Sequence, residues 1–359
     1  MTAHYNHSVI GQKFLHQCQE LYGLGKSNPP KDNATRTGWG GAFTQAKWFM
    51  DNQEAVQMYD VEHTVKAKNA MDNPDGSKYK DHKLTQSEWN TVRESVFVLQ
   101  HPKGAVMLLQ ATKKSTVNIV LPVIGKLLEA LHEETVLKWE KRPVQTQCEV
   151  VRDGRQNLYK AVKKRFTNDL MSCKLEDFCV ATTLDPRYKT FKFPKSTDWD
   201  RGTLTPGRAI GWARSAWTKD WKPKEGETVS VIAATPKSKK KTAEVTLSDF
   251  MGDSDEDDEE TIVGSSEARD PKRDEDEFDE YLAMPVERVD FDVQQWWRSH
   301  KFELPHLAKM ARQFLGVPAS TAGVERIFSA CGQMHSDLRK STNEEMQTSR
   351  LKCPNSLVL

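Results

Sequence analysis

Paired cysteines are missing from this sequence. Cys18, Cys148, Cys173, Cys179, Cys331 and Cys353 are scattered, and no two of them stand as CxxC. That spacing excludes a zinc ribbon and a disulfide framework and suits a reducing compartment. Long apolar runs are missing too. No stretch approaches the roughly 18 residues that a membrane helix needs, and the opening residues MTAHYNHSVIGQKF have no apolar core behind a basic flank. Neither a signal peptide nor a membrane partner is therefore expected, and the protein reads as soluble and intracellular. A dominant charge is also missing: the formal net charge is +1, so no global field points to nucleic acid or to a membrane surface. Apolar residues make up only 37% of the chain, against roughly 45–50% in typical domains, a reference that also counts glycine. A globular chain diluted by a solvated segment fits these figures.

Several catalytic signatures begin and then fail. Gly23–Ser27 reads GLGKS, the end of a phosphate-binding loop, but the position that needs the first glycine holds Glu20, and Asn28-Pro29-Pro30 stands where the helix should begin. The acidic stretch from Asp253 has Asp258 where a calcium loop requires glycine. His4 and His7 have no cysteine pair to complete a zinc site. No serine or cysteine nucleophile motif is present, although a triad dispersed along the chain leaves no local signature. No small-molecule substrate is expected.

What is present divides into three parts, and 359 residues leave room for two or three domains. Residues 1–221 read as mostly helical. Val123, Leu127, Leu128, Leu131, Val136 and Trp139 follow a helical period behind Pro122. Ser95–Thr112 reads as a short strand pair or a broken helix, with His101-Pro102-Lys103-Gly104 as the break. Another apolar run ends at Asp185-Pro186, because the residue before a proline disfavours helix. Residues 222–280 read as a disordered linker, basic at Lys237 and Lys239–Lys241 and then acidic, with seven acids in the eight positions from Asp253 to Glu260. The lysines suit a nuclear import signal, and Ser254 suits an acid-directed kinase.

Residues 281–359 read as compact again. Leu307, Met310, Ala311, Phe314 and Leu315 fall on one helical face, which Gly316-Val317-Pro318 should end. A second stripe, Val324, Ile327, Phe328 and Cys331, follows a cap at Ser320 or Thr321, and Thr342 with Glu345 suggests a capping box. Within the second stripe Glu325 and Arg326 are the anomaly. Glu325 lies about 100° around the helix from Val324, and reads either as half of a surface ion pair or as a carboxylate presented to a metal site.

The run WWRSHKFELPHLAKMARQFLGVPASTAGVERIFSACGQ resembles the C-terminal block of the hAT superfamily of transposases. The resemblance rests on Trp296, Trp297, Pro305, Leu307, Ala311, Pro318, Ser320, Glu325, Arg326, Phe328 and Ser329. Weaker likeness extends upstream, to Leu184–Lys189 (LDPRYK) and to Thr35, Arg36 and Trp39, where Thr37-Gly38 is inserted into the family's Thr-Arg-Trp pattern.

The resemblance implies a mainly α chain: a helical insertion domain plus the C-terminal helical part of an incomplete RNase H-like transposase core. It implies divalent metal, Mg or Mn, only for a complete transposase, in which two aspartates and a glutamate hold two metal ions for strand cleavage. Glu325 matches the glutamate. The aspartates precede the Thr-Arg-Trp segment in the family; here 34 residues precede Thr35, with Asp32 but no acid-bearing strand. This chain by itself is therefore expected to need no cofactor and to lack transposase activity. The implied property is self-association, as a homodimer or higher oligomer, with Trp296, Trp297, Leu307, Phe314, Leu315, Pro318, Ile327 and Phe328 as packing or dimerisation residues. Phe302 adds aromatic area. Arg36, Trp39 and Arg326 are candidate DNA contacts, Lys113 and Lys114 weaker ones, and a nuclear location is expected. The alternative is a truncated form of a full DNA-cutting transposase.

Overall fold

The computed structural model describes residues 9–30, 39–69, 83–139, 142–166, 171–193, 205–223, 276–321 and Glu325. Among these the chain is mostly helical, as expected, with one small hairpin as the strand content. It forms two compact units, one of Met1–Lys103 with Ala130–Ala161, the other of Gly104–Glu129 with Val162–Leu359. The stretch read as one helical region, 1–221, is thus shared between both units.

The first unit contains α1 (Val9–Leu21), α2 (Trp39–Asp51), α3 (Gln53–Asn69), most of α4 (Gln86–Leu109), the hairpin of β1 (Leu137–Trp139) with β2 (Arg142–Val144), and most of α6 (Glu149–Lys163). Leu15, Cys18, Trp48, Phe49, Ala55, Val56, Tyr59 and Trp89 form its core. A closed polar network crosses that core. The buried Gln19 amide donates to the Ser27 carbonyl at 2.9 Å and to Asn52 Oδ1 at 2.8 Å, and its Oε1 accepts from Ser27 N at 3.0 Å. Asn52 in turn donates to the Trp48 carbonyl, and Trp48 Nε1 donates to Ser27 Oγ.

GLGKS therefore has a structural use. Gly23 sits at φ 67°, the left-handed position just past α1, and Leu24 N returns to the Gln19 carbonyl at 2.8 Å. This is a glycine C-cap. A Cβ at Gly23 meets nothing within 4 Å, so only backbone strain opposes it. Gly23→Ala is expected to destabilise the first unit by about 1–2 kcal/mol, read as a lower urea midpoint with an unchanged slope.

Two local readings are corrected. His101-Pro102-Lys103-Gly104 does not break the chain: α4 runs through Pro102 as a 24-residue helix. Proline removes one backbone donor, a cost of about 3 kcal/mol, and buried Val96, Phe97, Val98 and Ala105 on both sides of it offset that cost. The stripe expected from Val123 to Trp139 is helical only through Leu131, in α5 (Val120–Leu131). A turn at His132–Thr135 follows, closed by Thr135 N to the His132 carbonyl, and Leu137–Trp139 pairs as a strand, with Leu137 opposite Val144 and Trp139 opposite Arg142. The helical spacing of Val136 and Trp139 was coincidental.

In the second unit a 3₁₀ turn (Val117–Ile119), which leads into α5, packs beside α7 (Met171–Thr183), and α7 packs on α8 (Pro206–Ala216), the last continuing into a π turn at Trp217–Trp221. α7 ends just before Asp185-Pro186, as the proline requires. Thr205 caps α8, accepting from Arg208 N at 3.2 Å, with Pro206 in the first helical position. The remainder is α9 (Glu277–Ala283), α10 (Val293–Ser299) and α11 (Pro305–Leu315). α9 starts upstream of residue 281, so the linker boundary drawn at 280 falls inside a helix. Asp276 caps it, accepting from Phe278 N at 3.3 Å. The rest of the presumed linker, with its lysine cluster and Ser254, lies outside the described residues.

Candidate functional site

The segment from Asp276 to Thr321 builds its core jointly with α7 and α8. Phe278, Tyr281, Val293, Trp296, Trp297, Leu304, Leu307, Met310, Ala311 and Leu315 come from one side, and Val180, Leu184, Ala213 and Trp217 from the other. The face predicted for α11 is the face that is buried, with Phe314 at its edge. Tyr281, Trp296 and Trp297 form one aromatic cluster with ring centroids 4.9–5.6 Å apart, at separations where tilted and edge contacts add to simple burial. Each polar end finds a partner: Trp297 Nε1 donates to the Leu184 carbonyl at 2.9 Å, Tyr281 Oη to the Thr183 carbonyl at 2.8 Å, and Trp296 Nε1 to Glu287 at 3.1 Å.

The LDPRYK turn is the anchor of this assembly. Asp185 is fully buried. Its carboxylate accepts from Asn118 Nδ2 at 2.6 Å and grips Arg187 through Nε at 2.9 Å and Nη2 at 2.8 Å. Arg187 reaches onward to the Val289 carbonyl at 3.1 Å. Burial alone would lower the Arg187 pKa; the Asp185 charge and hydrogen bonds reverse this and raise it above the ordinary arginine value. Lys189, 1% exposed, donates to the carbonyls of Tyr281 at 2.7 Å and Met284 at 2.5 Å, satisfying the end of α9. Burial lowers its pKa to about 8, against the opposing charge of Glu287. Burial also raises the Tyr188 and Tyr281 phenols. These shifts follow from burial and pairing in the packed interior.

The start of α11 is capped from a distance. Leu304 offers no side-chain cap; the Glu277 carboxylate accepts from His306 N at 2.9 Å, Leu307 N at 2.8 Å and His306 Nδ1 at 2.7 Å. This places a negative charge at the positive end of the helix. In sequence Glu277 reads as part of the solvated acidic stretch, because nothing local announces donors 29 residues away.

The predicted residues separate into groups. Trp296, Trp297, Leu307 and Leu315 are brought together, buried within the chain's own core. They are not the exposed apolar surface that an absent half of the core would leave. Phe314 and Phe302 are half-buried, and Pro318 is exposed beyond the end of α11. Trp39 is the first residue of α2. Lys113 and Lys114 are exposed, beside Ser115, whose Oγ donates to the Leu315 carbonyl at 2.7 Å. Arg36, Arg326, Ile327 and Phe328 lie outside the described residues, as do the rest of the second stripe and the Thr342 box. Glu325 is exposed, and its Oε1 accepts from Thr321 Oγ1 at 2.9 Å. A two-metal centre needs several oxygen ligands converging on one point. Among the described residues no three His, Cys, Asp or Glu side chains converge so.

This is a helical region with its strongest aromatic residues turned inward, fastened to the upstream helices by buried ion and hydrogen-bond partners. Residues 277–351 match the family model of the hAT family C-terminal dimerisation region. The chain is 29% identical over 156 residues to the zinc finger BED domain-containing protein DAYSLEEPER of Arabidopsis thaliana, across 42% of this chain and 19% of that protein. It is 33% identical over 72 residues to the putative AC transposase of Zea mays, across 20% of this chain and 9% of that one, and equally to the putative AC9 transposase. The matches thus span at most a fifth of the length of these relatives. Residues 277–351 are thus similar to a hAT C-terminal dimerisation region, and the relatives that match are putative transposases and a BED zinc finger protein.

Proposed function

We propose that this chain is a transposase-derived self-association module that pairs with a second copy through residues 277–351 and cuts no DNA by itself. The observation that carries the reading is the match of that region to a dimerisation family. Among the described residues no cluster of acids forms around Glu325, whose carboxylate accepts from Thr321, and this supports the second half of it. A nuclear location, through Lys237 and Lys239–Lys241, and a DNA-bound state of the paired copies belong to the same reading. When two differently tagged full-length copies are co-expressed at equal levels, capture through one tag is expected to bring down the other copy at about half the amount of the captured one, the ratio for random pairing of a dimer. Recovery of the tagged copy alone would sink the proposal.

The likeness to the putative AC transposases and the position of Glu325 within the matched region favour one other reading, a metal-dependent DNA-cleaving transposase. With Mg or Mn and supercoiled plasmid, the full chain is expected to leave the plasmid intact. Nicking that disappears in Glu325→Gln would replace the first reading with the second.

A further inference from the structure

Within the second unit, the chain that ends at Pro223 and the chain that resumes at Asp276 meet where the sequence between them leaves and returns. Lys222 Nζ lies 3.3 Å from Asp276 Oδ2, and Trp217 Nε1 donates to Asp276 Oδ1 at 2.5 Å. Arg214 is paired with Asp279 and sits over the Phe278 ring, which stacks on Trp217 with 22° between planes. The exit at Trp217–Lys222 and the re-entry at Asp276–Asp279 are thus pinned to each other by side chains, whatever lies between them.

Beyond that clasp, the surface between the pieces has the make-up of a permanent protein–protein interface. Trp217, Leu184 and Val180 supply apolar area on one side, and the aromatic cluster with the α11 stripe supplies it on the other. The polar contacts are distributed across it: Arg187 to Val289, Lys189 to Tyr281 and Met284, Tyr281 to Thr183, and Trp297 to Leu184. Pro186 accepts from Glu287 N at 3.1 Å, and Thr116 Oγ1 accepts from Ala319 N at 2.9 Å. A typical protein–protein interface carries about 10 direct hydrogen bonds around an apolar centre, and this one is of that order.

We infer that Asp276–Thr321 is a docked ligand of the upstream helices rather than the start of an autonomous module, and that covalent continuity between Pro223 and Asp276 is not needed to hold it. A connection of roughly 50 residues raises the local concentration of the segment to the millimolar range. It contributes none of the contacts above. The partner of the docking surface is therefore this chain's own dimerisation region, and the region takes its fold from α7, the Asp185 turn and α8. Self-association through 277–351 then depends on residues well outside the matched region.

The test cuts the intact protein. A recognition sequence for a site-specific protease is inserted between Thr242 and Ala243 of the full chain, which carries an affinity tag at its C-terminus. After complete cleavage the N-terminal piece is expected to stay on the tagged C-terminal piece at one to one through extensive washing. It should be released only in denaturant, with the far-ultraviolet circular dichroism unchanged by cleavage. Release of the N-terminal piece in native buffer, with the C-terminal piece still helical and soluble, would overturn the inference. That outcome is independent of whether uncut copies pair.

Discussion

Asp185→Ala is expected to lower the stability of the second unit by about 3–5 kcal/mol, because it leaves a buried arginine with no counter-charge. Arg187 is held by Asp185 on one side and reaches the Val289 carbonyl on the other. Removal of the carboxylate thus strands the guanidinium and also frees Asn118 Nδ2. Denaturant unfolding followed by tryptophan fluorescence should show an early transition, as Trp217, Trp296 and Trp297 lose their environment, with a later one from the first unit, where Trp48 and Trp89 report. Two units make a single two-state fit inappropriate. Arg187→Ala should be costly as well, and the double variant should cost clearly less than the two singles added, because neither charge is then left buried alone. Strict additivity, or a cost under about 1 kcal/mol for Asp185→Ala, as for an exposed pair, would show that the turn does not anchor the region.

Trp297→Ala is expected to cost about 3–5 kcal/mol, the range for emptying a large aromatic site. Trp297 is 7% exposed and Trp296 2%, and loss of the indole also leaves the Leu184 carbonyl without its donor. The Trp-Trp pair in a dimerisation region invites the opposite expectation, that these residues form the contact between copies and that truncation weakens pairing while sparing the fold. The two are separable: at concentrations low enough to keep copies apart, the variant should still unfold at lower denaturant than the wild type. By contrast Val317→Asp, at a position 52% exposed beyond α11, should leave the unfolding transition within about 0.5 kcal/mol of its original position. Equal stability of Trp297→Ala and wild type under those conditions would restore the tryptophans to an interface between copies.

How much of this was legible in the sequence differs by element. α11 was read nearly whole, because Leu307, Met310, Ala311 and Leu315 repeat at the helical period, Pro305 suits its first position, and Gly316-Val317-Pro318 suits its end. The end of α7 was legible in Asp185-Pro186. The hairpin was hidden because Val136 and Trp139 happen to extend the spacing of α5, and periodicity cannot register a turn made of polar residues at the right interval. The caps at Asp276 and Glu277 were hidden by composition, because they close a long acidic stretch: Asp276 caps its own helix through Phe278 N, while the donors to Glu277 arrive through tertiary structure. Lys189 is the clearest failure. A lysine flanked by tyrosine and threonine reads as a surface residue, and only the placement of α9 over the turn converts it into a buried donor to two carbonyls. The LDPRYK string was noticeable as a resemblance, but its physical task, binding Asn118 and the backbone beyond residue 280, depends on contacts distant in sequence.

The central claim is that this chain pairs with itself, and sedimentation equilibrium of the full-length protein tests it most directly. Across a concentration series from below 1 µM to tens of µM, the account predicts a mass that rises to twice the 40.9 kDa of one chain and then levels off. A mass that stays at one chain throughout, with the helical circular dichroism intact, would contradict it.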